Sequence, residues 1–113
     1  MRPSSDDRIP LRFGPLDTAG PEDALLLEER PGLAPVAGAA VARFAQGPVH
    51  RFGCVCCGGQ GAAAAALAGL FQDRARGRVP WFTRVLAVVR DPAAVAEALR
   101  ADRVAAVRFR VEG

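Results

Sequence analysis

Apolar positions along this chain come in short runs separated by turn residues, and their spacing alternates between two kinds. Ala24-Leu25-Leu26-Leu27 is a continuous apolar run that stops at Glu28-Glu29-Arg30-Pro31-Gly32. So short a run, ended by Pro-Gly, predicts a strand buried on both faces, as in a parallel sheet. A helix opening at Pro21-Glu22-Asp23 is the competing reading. Val85-Leu86-Ala87-Val88-Val89 is a second fully apolar strand, introduced by Trp81-Phe82. Helical spacing appears between and after them. Ala62–Ala66 is an alanine block of maximal helix propensity, and Leu67, Leu70 and Phe71 continue it as one stripe. Basic residues and Gly77 close that helix. Asp91-Pro92 opens another, running through Ala101, with Asp as cap and Pro in the first turn.

The remaining segments are read by the same rules. Leu33 to Phe44 repeats small and apolar residues and is assigned as a helix, with Pro35 in its first turn. Val49–Phe52 is assigned as a short strand. Val104 to Val111 alternates Val107, Phe109 and Val111 with Arg108 and Arg110, an edge-strand pattern. Residues 1–22 read as an irregular N-terminal arm, because Pro3, Pro10, Pro15 and Pro21 interrupt any period. Ile9, Leu11 and Phe13 offer at most a strand at a sheet edge. Residues 23–113 then form a single α/β domain, a small mainly parallel sheet flanked by helices, in the order β-α-β-α-β-α-β.

Composition narrows the function. At 113 residues the chain has room for one core. No stretch of eighteen apolar residues offers a membrane span. The N-terminus lacks the apolar segment of a secretory signal, so a cytoplasmic location is expected. All fifteen Lys+Arg residues are Arg. The absence of lysine excludes a Walker A lysine, a Schiff-base lysine and a lysine general base. Residues 1–49 carry five Arg against seven acids, net −2, and residues 50–113 carry ten against five, net +5. The basic half favours an anionic partner. With Trp81 as the single Trp and no Tyr, however, the stacking platform of a nucleic-acid binder is missing.

All three cysteines, Cys54, Cys56 and Cys57, fall within four consecutive positions. Adjacent cysteines do not form relaxed bridges and three is an odd number, so a disulfide framework is excluded. The cluster is assigned to the end of a strand just before a helix, where an α/β sheet holds its ligands. The helix N-terminus there favours thiolate, and thiolates select a soft cation such as Zn²⁺ or Cu⁺. Gly53, Gly58 and Gly59 give the backbone freedom to converge neighbouring thiols on one ion. A fourth ligand would come from His50, the only histidine, or from Glu28 or Glu29. The plainer alternatives are three small buried thiols, a turn histidine and solvated loop carboxylates.

The pentad Gly53-Cys54-Val55-Cys56-Cys57 resembles the GCxCC motif of the CobW-like family of metal-chaperone GTPases. The order of strand, motif, long helix, basic break, second apolar strand and Asp91-Pro92 helix is similar too, over residues 24 to 113. The resemblance implies a Rossmann-like, P-loop-NTPase-like fragment, with the three cysteines holding zinc or copper(I) and Glu29 contributing. It also implies a partly helical tail at 104–111, against the local pattern. The departures are specific. There is no GxxxxGK[ST] and no Asn-Lys-x-Asp, and Val88-Val89-Arg90-Asp91 stands where the family carries an acidic residue and a Thr-Gly pair. A metal-binding domain without GTPase activity is the expectation, with no nucleotide and with a client or acceptor protein as partner. Two alternatives stand beside it: a thiol-redox protein using Cys54 and Cys56, and a partner-binding accessory module docking through the Arg108/Arg110 edge. The modest core and open edge also leave room for a homodimer.

Overall fold

A computed structural model describes residues 8–29, 40–45 and 61–112. Among these described residues five strands form one sheet: β1 (Ile9–Phe13), β2 (Asp23–Glu28), β3 (Val41–Phe44), β4 (Arg84–Val88) and β5 (Phe109–Val111). Their spatial order is β3-β2-β4-β1-β5, and every pairing is parallel. Three described α-helices flank it: α1 (Ala62–Ala75), α2 (Pro92–Ala101) and α3 (Arg103–Arg108). The α/β class read from the apolar runs is the class observed. No described helix is long and apolar enough to cross a membrane.

The two continuous apolar runs are β2 and β4, paired at the centre. Residues 23–28 are all buried, so β2 is covered on both faces. Ala24 and Leu26 join Val85 and Ala87 in the core shared with the helices, where Leu67, Leu70, Val95 and Leu99 meet them. Leu25, Leu27 and Leu86 form a smaller cluster on the opposite face, with Val41 and Val88 against it. Pro21 and Glu22 form a turn, so the helix reading of that segment falls away.

The helices carry the predicted end signals. Asp91 accepts from the Ala94 N–H at 3.2 Å and Pro92 fills the first position of α2. Asp102 caps α3 in the same way, accepting from Ala105 N–H at 2.9 Å. At the end of α1, Arg78 N–H reaches Asp73 O and Gly77 N–H reaches Arg74 O, a Schellman pair. Gly77 takes φ +72°, which a side chain would strain. Arg74 then donates to Phe82 O at 2.9 Å and lies 3.6 Å from the Trp81 ring, pinning the end of α1 beside the start of β4.

Three expectations are corrected. Val41–Phe44, assigned to the end of a helix, is β3; Ala40 O accepts from Leu25 N–H and the segment zips onto β2. A short apolar run does not separate helix from strand by periodicity alone, and the free ladder groups of β2 decided the matter. Residues 33–39 of that predicted helix and the predicted strand at 49–52 lie outside the described residues. The second correction concerns Ile9–Phe13, which is neither an edge strand nor irregular arm but runs between β4 and β5. Pro10 is tolerated because of register. The register sets Pro10 beside Arg84, the first residue of β4, and since Gly14 N–H bonds Ala87 O, stepping back two residues per bond aims the Pro10 nitrogen at Thr83 O, just before β4 begins. The missing donor therefore falls at the end of the ladder and interrupts no bond inside β4. Third, the tail is helix α3 followed by the three-residue edge strand β5, so the alternating pattern holds only from Phe109 onward.

The link from β1 to β2 has nine residues, Gly14 to Glu22, and only a 3-10 turn at Leu16–Thr18. It crosses the face opposite the helices: a Cβ at Gly14 would meet Leu86 Cδ1 at 3.5 Å and Thr18 Oγ1 at 3.4 Å. Asp23 anchors it. Its fully buried carboxylate accepts from Gly20 N–H at 2.7 Å and from Arg12 Nη2 at 2.9 Å. Arg84 Nε lies 3.0 Å from Oδ1 as an ion pair outside hydrogen-bond alignment. Arg12 also donates to Thr18 O, so one guanidinium ties strand, turn and carboxylate together.

Truncating the central core side chain, Leu26→Ala, is expected to cost about 3 kcal/mol in urea unfolding. Asp23→Ala is expected to cost about 2 kcal/mol, because two guanidiniums lose their counter-charge. Val107→Ala, on the exposed side of α3, should stay within about 0.5 kcal/mol.

Candidate functional site at the carboxyl edge of the sheet

In a parallel sheet all strands end on one side, and ligands bind where neighbouring strands send their chains to opposite faces. β1 and β4 are such neighbours. β1 leaves over the helix-free face through Gly14 and Pro15, whereas β4 leaves through Val89-Arg90-Asp91 into α2 on the helix face. The links β3 to β4 and β4 to β5 travel one way across the sheet, and β1 to β2 travels the other. A constant crossover handedness requires that split.

Beside this divergence the end of β2 supplies two consecutive acids with different surroundings. Glu28 is 7 % exposed. Its Oε1 accepts from the Arg90 backbone N–H at 2.9 Å, and its Oε2 accepts from Arg90 Nε at 3.2 Å. Both oxygens are engaged, so Glu28 fastens the end of β2 to the end of β4 rather than offering a free base. Glu29 lies one residue past the strand. Its N–H bonds Phe44 O at 2.7 Å, and its half-exposed carboxylate lies 3.8 Å from Arg43 Nη1. Solvent screens a pair at that distance and exposure, which leaves Glu29 accessible to another cation.

Of the residues singled out for metal binding, Glu29 is placed at this carboxyl edge. Cys54, Cys56, Cys57 and His50 lie outside the described residues. The described residues fix where their segment starts and stops. It leaves from Ala45, directly after β3 and level with Glu29, and rejoins at Gly61, the N-cap of α1. Among the described residues alone, no three His, Cys, Asp or Glu side chains come together. The donor set that the chain can offer, three thiols and a carboxylate with one imidazole, suits a soft or borderline cation.

Sequence reasoning missed Arg90. Its signal was present: it is the residue between a fully apolar strand and an Asp-Pro helix start, which in a parallel sheet is a carboxyl-edge position. Its guanidinium is 69 % exposed while its backbone is held by Glu28.

No family model, no curated protein and no solved structure matches this chain.

Glu28→Ala is expected to lower stability by about 2 kcal/mol, since it orphans the Arg90 N–H. Glu28→Gln keeps an acceptor there and should lose about half as much. Glu29→Ala should leave the urea midpoint within about 0.5 kcal/mol of wild type.

Proposed function

We propose that the protein is a metal-binding domain, a reduced relative of the CobW-like metallochaperones without GTPase activity, that holds Zn²⁺ or Cu⁺ through Cys54, Cys56 and Cys57. The observation that carries this reading is the packing of all three cysteines into four positions of one connection, between the carboxyl end of β3 and the first turn of α1. Thiolates so close in sequence repel one another unless a cation neutralises them, and a Gly on either side of the cluster frees the backbone to turn. Glu29 supports the reading from the neighbouring strand, because it ends on the same edge as β3 and keeps an accessible carboxylate. Glu28 is already committed to Arg90, so Glu29 is the acid of this pair that would serve as a ligand. His50, four residues before Cys54, is the further donor within the same connection.

Bound metal would neutralise the thiolates and tie the connection to the sheet edge. Three thiolates with a weak carboxylate or imidazole fourth ligand suit transfer, since an acceptor protein's thiolate can displace the weak ligand. Nucleotide chemistry is not part of this reading: the chain has no GxxxxGK[ST] and no lysine of any kind to serve as a Walker A lysine.

Titration with Zn²⁺ against a chromophoric chelator tests the proposal. Wild type should bind one equivalent, and the triple Cys→Ser variant should compete at least about a hundredfold less well. Glu29→Ala should weaken binding by about tenfold with an unchanged melting temperature for the metal-free protein. Equal competition by wild type and the triple variant would overturn the assignment. A chelator-insensitive disulfide between Cys54 and Cys56 in the purified protein would favour thiol-redox chemistry instead.

A further inference from the structure

The amino edge of the sheet, at the opposite end from the cysteine connection, carries a surface that the metal site does not use. Helix α1 ends there, β4 begins there, and residues 76–83 join them. Trp81, the single tryptophan of the chain, is 65 % exposed in that connection, whereas its neighbour Phe82 is buried in the core. The Arg74 guanidinium lies 3.6 Å from the centre of the Trp81 ring and donates to Phe82 O at 2.9 Å. One face of the indole is therefore held against the end of α1, and the other is presented to solvent. Arg76 and Arg78, on either side of the Gly77 turn, are exposed, and among the described residues their side chains make no ion pair or hydrogen bond. Residues 73–84 hold four Arg against the single acid Asp73, net +3. Arg84 is engaged by Asp23 on the helix-free face, and Glu22 accepts from the Thr83 hydroxyl at 2.9 Å. Arg76 and Arg78 thus give the ring a positive border.

We propose that this connection docks an acidic segment of a partner protein, with an apolar side chain of the partner on the open face of Trp81 and its carboxylates on Arg76 and Arg78. Tryptophan and arginine are the side chains that most often carry the binding energy of a protein interface. Here the tryptophan is already set in place by Arg74, so little freedom is lost when a partner covers it. A guanidinium takes a carboxylate through two parallel hydrogen bonds, which makes the two free arginines the specific part of the surface. The competing occupants fit less well. A nucleic-acid strand needs successive rings to stack its bases, and with Phe82 in the core Trp81 stands alone in this connection. A bilayer anchor projects its ring toward the headgroups, whereas this ring lies back on Arg74. A second copy of the chain would bring Arg76 and Arg78 against their own counterparts, and like charges across an interface oppose association.

The test uses the full chain, whose single tryptophan reports the contact directly. The probes are a Glu-rich peptide with a central Leu, the same peptide with Lys for Glu, a single-stranded oligothymidylate of equal charge and vesicles containing phosphatidylserine. The acidic peptide should shift the Trp81 emission to shorter wavelength as the ring leaves water, and the Lys peptide should not. With the acidic peptide labelled and read by fluorescence anisotropy, Trp81→Ala should weaken binding by about tenfold. The double variant Arg76→Gln with Arg78→Gln should weaken it by about tenfold as well and flatten its salt dependence. The double variant alters two exposed side chains without partners among the described residues, so its circular-dichroism melt should match wild type. It therefore decides the matter even where Trp81→Ala lowers the melt. The triple Cys→Ser variant should bind the peptide like wild type, which separates this inference from the metal proposal. No emission shift with the acidic peptide, or binding indifferent to the double variant, would overturn the assignment. So would tighter binding of the oligothymidylate or the vesicles than of the acidic peptide, or a dimer in sedimentation that Trp81→Ala abolishes.

Discussion

A parallel strand cannot be followed by a tight turn, because the chain must travel the length of the sheet to start the next strand. In this protein the first return, from β1 to β2, is made in nine residues without an α-helix. It must also pass over β4, which lies between the two strands. The buried carboxylate of Asp23 makes that possible by gathering the Gly20 N–H, Arg12 and Arg84 at the start of β2. Arg12 is from β1 and Arg84 from β4, so three adjacent strands and the returning loop share one anion. An isolated buried carboxylate would be costly, but this one is compensated from three directions. The central strand order rests on that arrangement, and so does the choice of face left to the helices.

The exclusive use of arginine acquires a structural meaning from the same contacts. Arg12 reaches two acceptors and a carboxylate at once, Arg74 combines a carbonyl with an aromatic face, and Arg90 closes on Glu28. Each uses the planar, many-donor geometry of guanidinium, which an ammonium does not reproduce. Part of the positive charge counted in the composition is therefore internal fastening.

The parts of the fold legible in the sequence were those whose signal is local. The buried runs of β2 and β4, the alanine-rich α1 and the Asp-Pro start of α2 each carry their own spacing and end residues. β1 and β3 do not. Pro10 reads as a strand breaker until the register shows its nitrogen at the end of the β4 ladder, and register is a property of two strands. Val41–Phe44 has no period that separates strand from helix, and the hydrogen-bonding edge of β2 settles it. The tail was ambiguous for a related reason. A capping Asp102 outweighs the alternation of Val104 to Val107, whereas Phe109 to Val111 finds the free edge of β1.

The candidate site divides along the same line. Three cysteines in four positions are visible to any reader of the chain, since the chemistry of thiolates needs no fold to announce it. The division of labour between Glu28 and Glu29 is not visible, because consecutive acids after an apolar strand look equivalent. Pleating separates them. Glu28, still within β2, is turned into the sheet and meets the Arg90 N–H, whose position follows from where β4 stops pairing with β2. Glu29, one residue on, has only its backbone held, by Phe44 O, and its carboxylate faces water and Arg43. A one-residue difference thus converts one acid into a strand fastener and leaves the other open at the edge from which the cysteine segment departs. Any ligand role for an acid of β2 must then fall to the residue that the strand does not use.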